Sequence, residues 1–126
     1  MTREKLSAHF TRAEFRCRCH EWCGGAAPVS DRLIEGVELL RGIVGRPIVI
    51  VSGFRCPRHN EAVGGSVGSY HTFGMAADVC VPPGMTREEF SAAVAQVEVF
   101  ALGGVGRYYW GFHLDVRSDG PARWGR

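Results

Sequence analysis

The sequence predicts an α+β fold, with helices packed on a small, mainly antiparallel sheet, and three observations carry that expectation. Segments with helical spacing come mostly early in the chain and extended segments mostly late. No regular β-α-β alternation links them, so a doubly wound parallel sheet is not expected. The chain has 126 residues and is 45% hydrophobic and 22% charged. That suits one globular domain over residues 1–126 with its own core, and excludes a disordered or collagen-like chain.

The elements follow in order. Thr11-Arg12-Ala13-Glu14 has the form of a capping box and starts a short helical turn. Ser30 caps a helix whose Leu33, Ile34, Val37, Leu40 and Val44 keep helical spacing. Gly45 stops it, and Arg46-Pro47 resets the chain as extended. Ile48-Val49-Ile50-Val51 is a continuous β-branched run and reads as a buried strand. Pro57 suits a helix first turn, so Pro57 to Val63 reads as a short helix ended by Gly64-Gly65. The glycine- and serine-rich stretch from Gly64 to Gly74 reads as an irregular loop. Ala77 to Val81 is a second strand, closed by Pro82-Pro83-Gly84. Thr86-Arg87-Glu88-Glu89 is another capping box, opening a helix with Phe90, Val94 and Val97 on one face. From Ala101 onward short strands are expected, with Phe112 to Val116 the clearest.

A net charge of +2 is too balanced to point to nucleic acid. No apolar run approaches the roughly 18 residues that span a bilayer, so no membrane partner is expected. The first ten residues are polar and charged, unlike the apolar core of a signal peptide, and imply a chain that is cytoplasmic as synthesised. Five cysteines at 17, 19, 23, 56 and 80 are an odd number, against a complete disulfide framework. The spacing Cys17-x-Cys19-His20-x-x-Cys23 could hold a structural metal, carry one bridge to Cys56, or leave reduced thiols. It does not choose among them.

Three residues stand out for catalytic chemistry: His71, Asp78 and His113. Hydrolytic zinc needs three nitrogen or oxygen ligands and an open fourth position. His71 and Asp78 lie seven residues apart across a glycine-bearing turn, so a loop and the following strand can converge. In Phe112-His113-Leu114-Asp115-Val116, strand alternation puts His113 and Asp115 on one face and the apolar trio on the other. His9 and His59 read as solvated or structural.

Ser52-Gly53-Phe54-Arg55-Cys56-Pro57, then Asn60, then Ser69-Tyr70-His71-Thr72-Phe73-Gly74-Met75-Ala76-Ala77-Asp78, then His113-Leu114-Asp115 resembles the zinc D-alanyl-D-alanine peptidases. That family cleaves bacterial peptidoglycan peptides and shares its fold with the hedgehog signalling domain. Its pattern is Ser-Gly-Tyr-Arg, Ser-x-His-x-x-Gly-x-Ala-x-Asp and a distal His, with Phe54 here replacing the tyrosine. The resemblance runs from about Leu6 to Arg123-Trp124-Gly125. It implies one catalytic zinc held by His71, Asp78 and His113, with Arg55 gripping a substrate carboxylate or carbonyl and Ser69 binding the substrate terminus.

Many relatives place an acidic residue or His, the general base, three positions before the distal His; here that position is Trp110. Asp115 is the expected substitute as catalytic base, with orientation of the His113 imidazole as its alternative role. A structural carboxylate paired with Arg55 or Arg117 is the remaining option. The implied function is a zinc metallopeptidase hydrolysing an amide bond in peptidoglycan peptides, as carboxypeptidase or endopeptidase. It would act as a monomer on the cell wall after release or phage delivery, and be of bacterial or phage origin. The alternative is a non-catalytic zinc-containing module that grips cell-wall peptide or a partner protein.

Overall fold

Alternation along two neighbouring strands divides the molecule into an oily side and a polar side. A computed structural model describes residues 4–19 and 22–125. Its α-helices are α1 (Asp31–Val44), α2 (Pro57–Ala62), α3 (Arg87–Ala95) and α4 (Glu98–Ala101). Its strands are β1 (Ile50–Ser52), β2 (Ala76–Cys80), β3 (Gly104–Arg107), β4 (Gly111–Asp115) and β5 (Ala122–Gly125). The strands form one sheet in the order β1-β2-β4-β3-β5. Every pairing is antiparallel except that of β3 with β5, which is parallel. The fold is α+β with a mixed sheet, in line with the sequence.

In β2, Ala77 and Val79 join the core, as do Phe112 and Leu114 in β4. Against them pack Leu33, Val37 and Leu40 of α1, Phe90 and Val94 of α3, and Phe100 of α4. Burying such side chains contributes roughly 1.5–3 kcal/mol each. Since side chains alternate, Asp78, His113 and Asp115 must emerge on the opposite face. Asp78 pairs directly with His113 in the β2–β4 register, which sets the two side chains side by side.

The helix signals have physical counterparts. Ser30 accepts the Arg32 N–H, and Gly45 closes α1 at φ 66°, a left-handed conformation that favours glycine. Thr86 accepts from Glu89 N while the Glu89 carboxylate accepts from Thr86 N.

Three expectations need correction. The run at 48–51 is not a buried strand: β1 is an edge strand from Ile50, with Ile48 and Ile50 buried but Val49 59% and Val51 40% exposed. The helix opened by Thr86 stops at Ala95, and Val97 becomes the N-cap of a separate α4. Within the Gly64–Gly74 stretch, Tyr70–Phe73 forms a 3-10 turn that Ser69 caps. A 3-10 turn also follows the first capping box, at Arg12–Phe15.

Candidate active site

His71 sits in the 3-10 turn, whose start is fixed by Ser69 Oγ accepting the His71 N–H at 3.3 Å. Gly74 ends the turn at φ 70°, and its carbonyl accepts the Ser30 N–H at 2.8 Å, tying the turn to the base of α1. The chain then enters β2 and delivers Asp78 beside His113 of β4. One donor atom from each of His71, Asp78 and His113 lies within 4.8 Å of the others. All three residues are buried.

The tautomers follow from the acceptors. His71 Nδ1 is 2.8 Å from the Gly53 carbonyl, which can only accept, so Nδ1 carries the proton. Nε2 is left with a lone pair, 3.2 Å from Asp78 Oδ1. His113 Nε2 lies 2.7 Å from Asp115 Oδ2 and donates to it, freeing Nδ1, which lies 3.2 Å from Asp78 Oδ1. Two imidazole lone pairs and a carboxylate oxygen therefore converge. Tetrahedral zinc with bonds of about 2.0–2.1 Å has ligand–ligand edges of about 3.3–3.4 Å. Two edges at 3.2 Å fit that ion closely.

The electrostatics agree. Burial alone would raise the Asp78 pKa, but the adjoining His113 and His71 rings, which favour its charged form, outweigh it and hold the group below the ordinary carboxylate range. Burial likewise pushes the His113 pKa down, but Asp115 and Asp78 together raise it above 6.5. Tyr108, at the end of β3, was not anticipated from the sequence. Burial and the charge of the neighbouring Asp78 carboxylate push its pKa up to about 12.

Arg55 is engaged on three sides. Nε donates to Ser52 Oγ at 3.2 Å, Nη1 to Asn60 Oδ1 at 3.2 Å and Nη2 to Asp78 Oδ2 at 3.1 Å. Its first partner is thus the Asp78 oxygen turned away from the histidines. Ser69 shapes the His71 turn and also lines the cleft.

Asp115 lies behind His113 and is not among the residues that line the open cleft. It is fully buried and accepts from His113 Nε2, from the Gly104 N–H at 2.9 Å, and from Arg117 Nε and Nη2 at 2.9 and 2.7 Å. Burial opposes its charge, but His113 and Arg117 outweigh that and hold its pKa below the usual range. A carboxylate so occupied is a poor proton acceptor. Trp110, in the turn before β4, stacks on Tyr108 with rings 5.0 Å apart and offers no base.

The cluster opens into a cleft of about 370 Å³. Arg55, Ser69, Tyr70, Tyr108, Arg117 and Trp124 form its walls. Trp124 reaches over from β5, its ring 4.9 Å from that of His113. Among the described residues no carboxylate lines the open cleft. Sequence reasoning missed Arg117 as a wall of this cleft, although it had named it as a partner for Asp115. His9 pairs with Glu38 on the surface, and His59 lies beside Trp22; neither joins the cluster. Cys17, Cys19 and Cys23 gather elsewhere, together with Cys56. His20 lies outside the described residues.

Two histidines and a carboxylate with freed lone pairs, at the floor of an open cleft, form the donor set of hydrolytic zinc enzymes. The chain belongs to the peptidase M15 family, whose family model matches residues 8–115. No curated protein matches the chain. No helix among the described residues is long and apolar enough to cross a membrane.

Proposed function

We propose that the chain is a zinc-dependent peptidase that hydrolyses an amide bond in peptidoglycan peptides. The observation that carries this reading is the convergence of His71 Nε2, Asp78 Oδ1 and His113 Nδ1, with both imidazole tautomers fixed from behind. These three residues would hold the ion. The chemistry zinc supplies when bound is Lewis acidity at a scissile carbonyl and acidification of water at the open end of the site.

The protein's own groups position the metal ligands and the substrate. Asp115 positions His113 rather than taking a proton, and Arg117 neutralises Asp115. Arg55 holds Asp78 in register, and its remaining N–H bonds are available to a substrate carbonyl or carboxylate. The Tyr108 phenol stays protonated and can donate to an oxygen that gains charge during hydrolysis. Arg117, stacked 4.4 Å over the Tyr70 ring, also lines the cleft, where the N–H groups it does not commit to Asp115 can meet a peptide carboxylate. Ser69 lies where it can reach such a terminus. The site of action is the bacterial cell wall, reached after release or phage delivery, and the working unit is a monomer.

Two observations favour a second reading, a module that binds wall peptide without cutting: among the described residues no carboxylate lines the open cleft, and Trp110 stands where many relatives carry the base. Incubating the zinc-loaded protein with purified muropeptides, with and without chelator, separates the two. The peptidase reading expects chelator-sensitive cleavage products by mass spectrometry. Retention of intact muropeptides with no product would overturn it in favour of the binding module.

A further inference from the structure

The cysteines are not spread through the core. Four of the five gather in one small cluster, apart from the histidine site, with all four sulfurs within 4.8 Å of one another. Cys17, Cys19 and Cys23 come from the loop after the first 3-10 turn, and Cys56 is the N-cap of α2. The sequence spacing joined only the first three to a metal. Cys56, more than thirty positions away in sequence, is brought to them by the fold. Cys80, on β2, does not belong to the group.

Buried cysteines often act as small hydrophobes. Two features separate this cluster from that case. First, its geometry matches a coordination shell: tetrahedral zinc with Zn–S bonds of about 2.3 Å has sulfur–sulfur edges of about 3.8 Å. The Cys19 and Cys23 sulfurs are 3.4 Å apart, and every other sulfur pair in the group falls within 4.8 Å. Second, backbone N–H groups are aimed at the sulfurs. The Cys56 N–H donates to Cys17 Sγ at 3.3 Å, and the Cys23 N–H donates to Cys19 Sγ at 3.4 Å. Such bonds stabilise thiolates, the form that ligates metal, and orient the sulfurs as outer partners do in metal sites.

We propose that Cys17, Cys19, Cys23 and Cys56 form a tetrathiolate site that binds a structural zinc ion. Four soft ligands in a closed shell select zinc over hard cations and leave no position open for catalysis. The site ties Cys17, Cys19 and Cys23 to the start of α2. That junction matters for the cleft, because Cys56 directly follows Arg55, and the Phe54 N–H bonds the Phe15 carbonyl at 2.9 Å. A clamp at Cys56 steadies the strand end that supplies both the Gly53 carbonyl behind His71 and the Arg55 guanidinium on Asp78.

The test uses the full chain, purified under reducing conditions without chelator, and does not depend on peptidase activity. The Asp78→Ala variant, weakened at the histidine site, is expected to retain one zinc ion per chain. Substituting cobalt(II) into that variant should give the intense thiolate-to-metal charge-transfer absorption that histidine and carboxylate ligands cannot produce. Cys56→Ser should lose this absorption and melt at a lower temperature. Should that variant fail to fold, thiol titration of the wild-type chain decides. All five cysteines should react in denaturant with chelator, whereas without chelator the native protein should expose only Cys80. Three reactive thiols after denaturation and chelation would reveal one disulfide and a single one would reveal two, and either would overturn the proposal. Five reactive thiols, with no zinc retained by Asp78→Ala, would overturn it equally.

Discussion

Asp115 Oδ2 lies 2.7 Å from His113 Nε2, two residues away on the same strand face, and this contact turns His113 Nδ1 toward Asp78 Oδ1. The carboxylate is held in turn by a forked bond from Arg117. The order Arg117–Asp115–His113 therefore fixes one nitrogen donor of the cleft floor before any ion arrives. Asp115→Asn is expected to weaken zinc affinity by about 10- to 100-fold, with turnover largely restored by added zinc. Competition with a chromogenic chelator measures the first effect and a zinc titration of activity the second. Normal affinity with turnover lowered by about 100-fold or more would instead make Asp115 the proton acceptor.

Asp78 Oδ1 lies 3.2 Å from a nitrogen of each histidine, and Oδ2 accepts from Arg55. Asp78→Ala should abolish high-affinity zinc binding at the cleft, because it removes the only anionic member of the donor set. His59→Ala, whose ring lies beside Trp22 outside the cluster, should leave metal content unchanged. Metal analysis of the two variants checks the contrast, and equal zinc at the cleft in both would sink the assignment.

Much of this site was legible in the chain because its determinants are local. The seven-residue interval from His71 to Asp78 spans one turn and the start of one strand, and alternation alone sorts His113 and Asp115 from Phe112 and Leu114. The ends of α1 were legible for the same reason, since Ser30 and Gly45 act on their own neighbours. What stayed hidden depends on partners distant in sequence. Val49 and Val51 face solvent because β1 is an edge strand, which no property of the run itself encodes. Trp124 crosses over His113 only once the sheet order is set, and Cys56, which the sequence offered only as a bridge partner, sits among three cysteines. The placement of Arg117 over Tyr70 is likewise a product of packing.

Gly104 provides a test of how tightly Asp115 is seated. A side chain there would collide with the Asp115 carboxylate, which also accepts the Gly104 N–H. Gly104→Ala should therefore cost about 1–3 kcal/mol of stability by overpacking. It should also weaken zinc binding, because Asp115 must shift away from His113. Denaturant unfolding together with the chelator competition reads both effects. A variant with wild-type zinc affinity would show that Asp115 tolerates displacement.

The metal-free and zinc-loaded proteins should respond to pH in opposite senses. In the metal-free protein the His113 pKa is raised above 6.5, so its contribution to stability is full below 6.5 and is lost as pH climbs through the raised value. Asp78 and Asp115 have lowered pKa values, so their contributions are full above 3.8 and are lost as pH falls through the lowered values. Metal-free stability should peak between those limits. Zinc needs the neutral imidazole, so the stabilisation it adds should grow as pH rises through the His113 transition. Melting temperatures across this range, with and without chelator, should diverge toward higher pH. Convergence there would contradict the assignment of His113.

Tyr108 is the cleft group whose role separates catalysis from binding most sharply. Its phenol is pushed up to about 12 by burial and by the Asp78 carboxylate, so it remains a hydrogen-bond donor throughout the working pH range. A donor beside the cleft floor can meet the oxygen on which charge grows as the amide carbonyl becomes tetrahedral, a contact stronger in the transition state than in the bound substrate. Tyr108→Phe keeps the ring, its stacking on Trp110 and the cleft wall, and removes only the hydroxyl. Turnover should fall by about 10²–10³, the usual worth of one such donor, while KM and zinc content change little. A rise in KM with unchanged turnover would instead mean that the phenol grips the substrate equally before and during reaction. That outcome would move Tyr108 from transition-state stabilisation to substrate binding, and it would strengthen the reading of the cleft as a peptide-gripping surface.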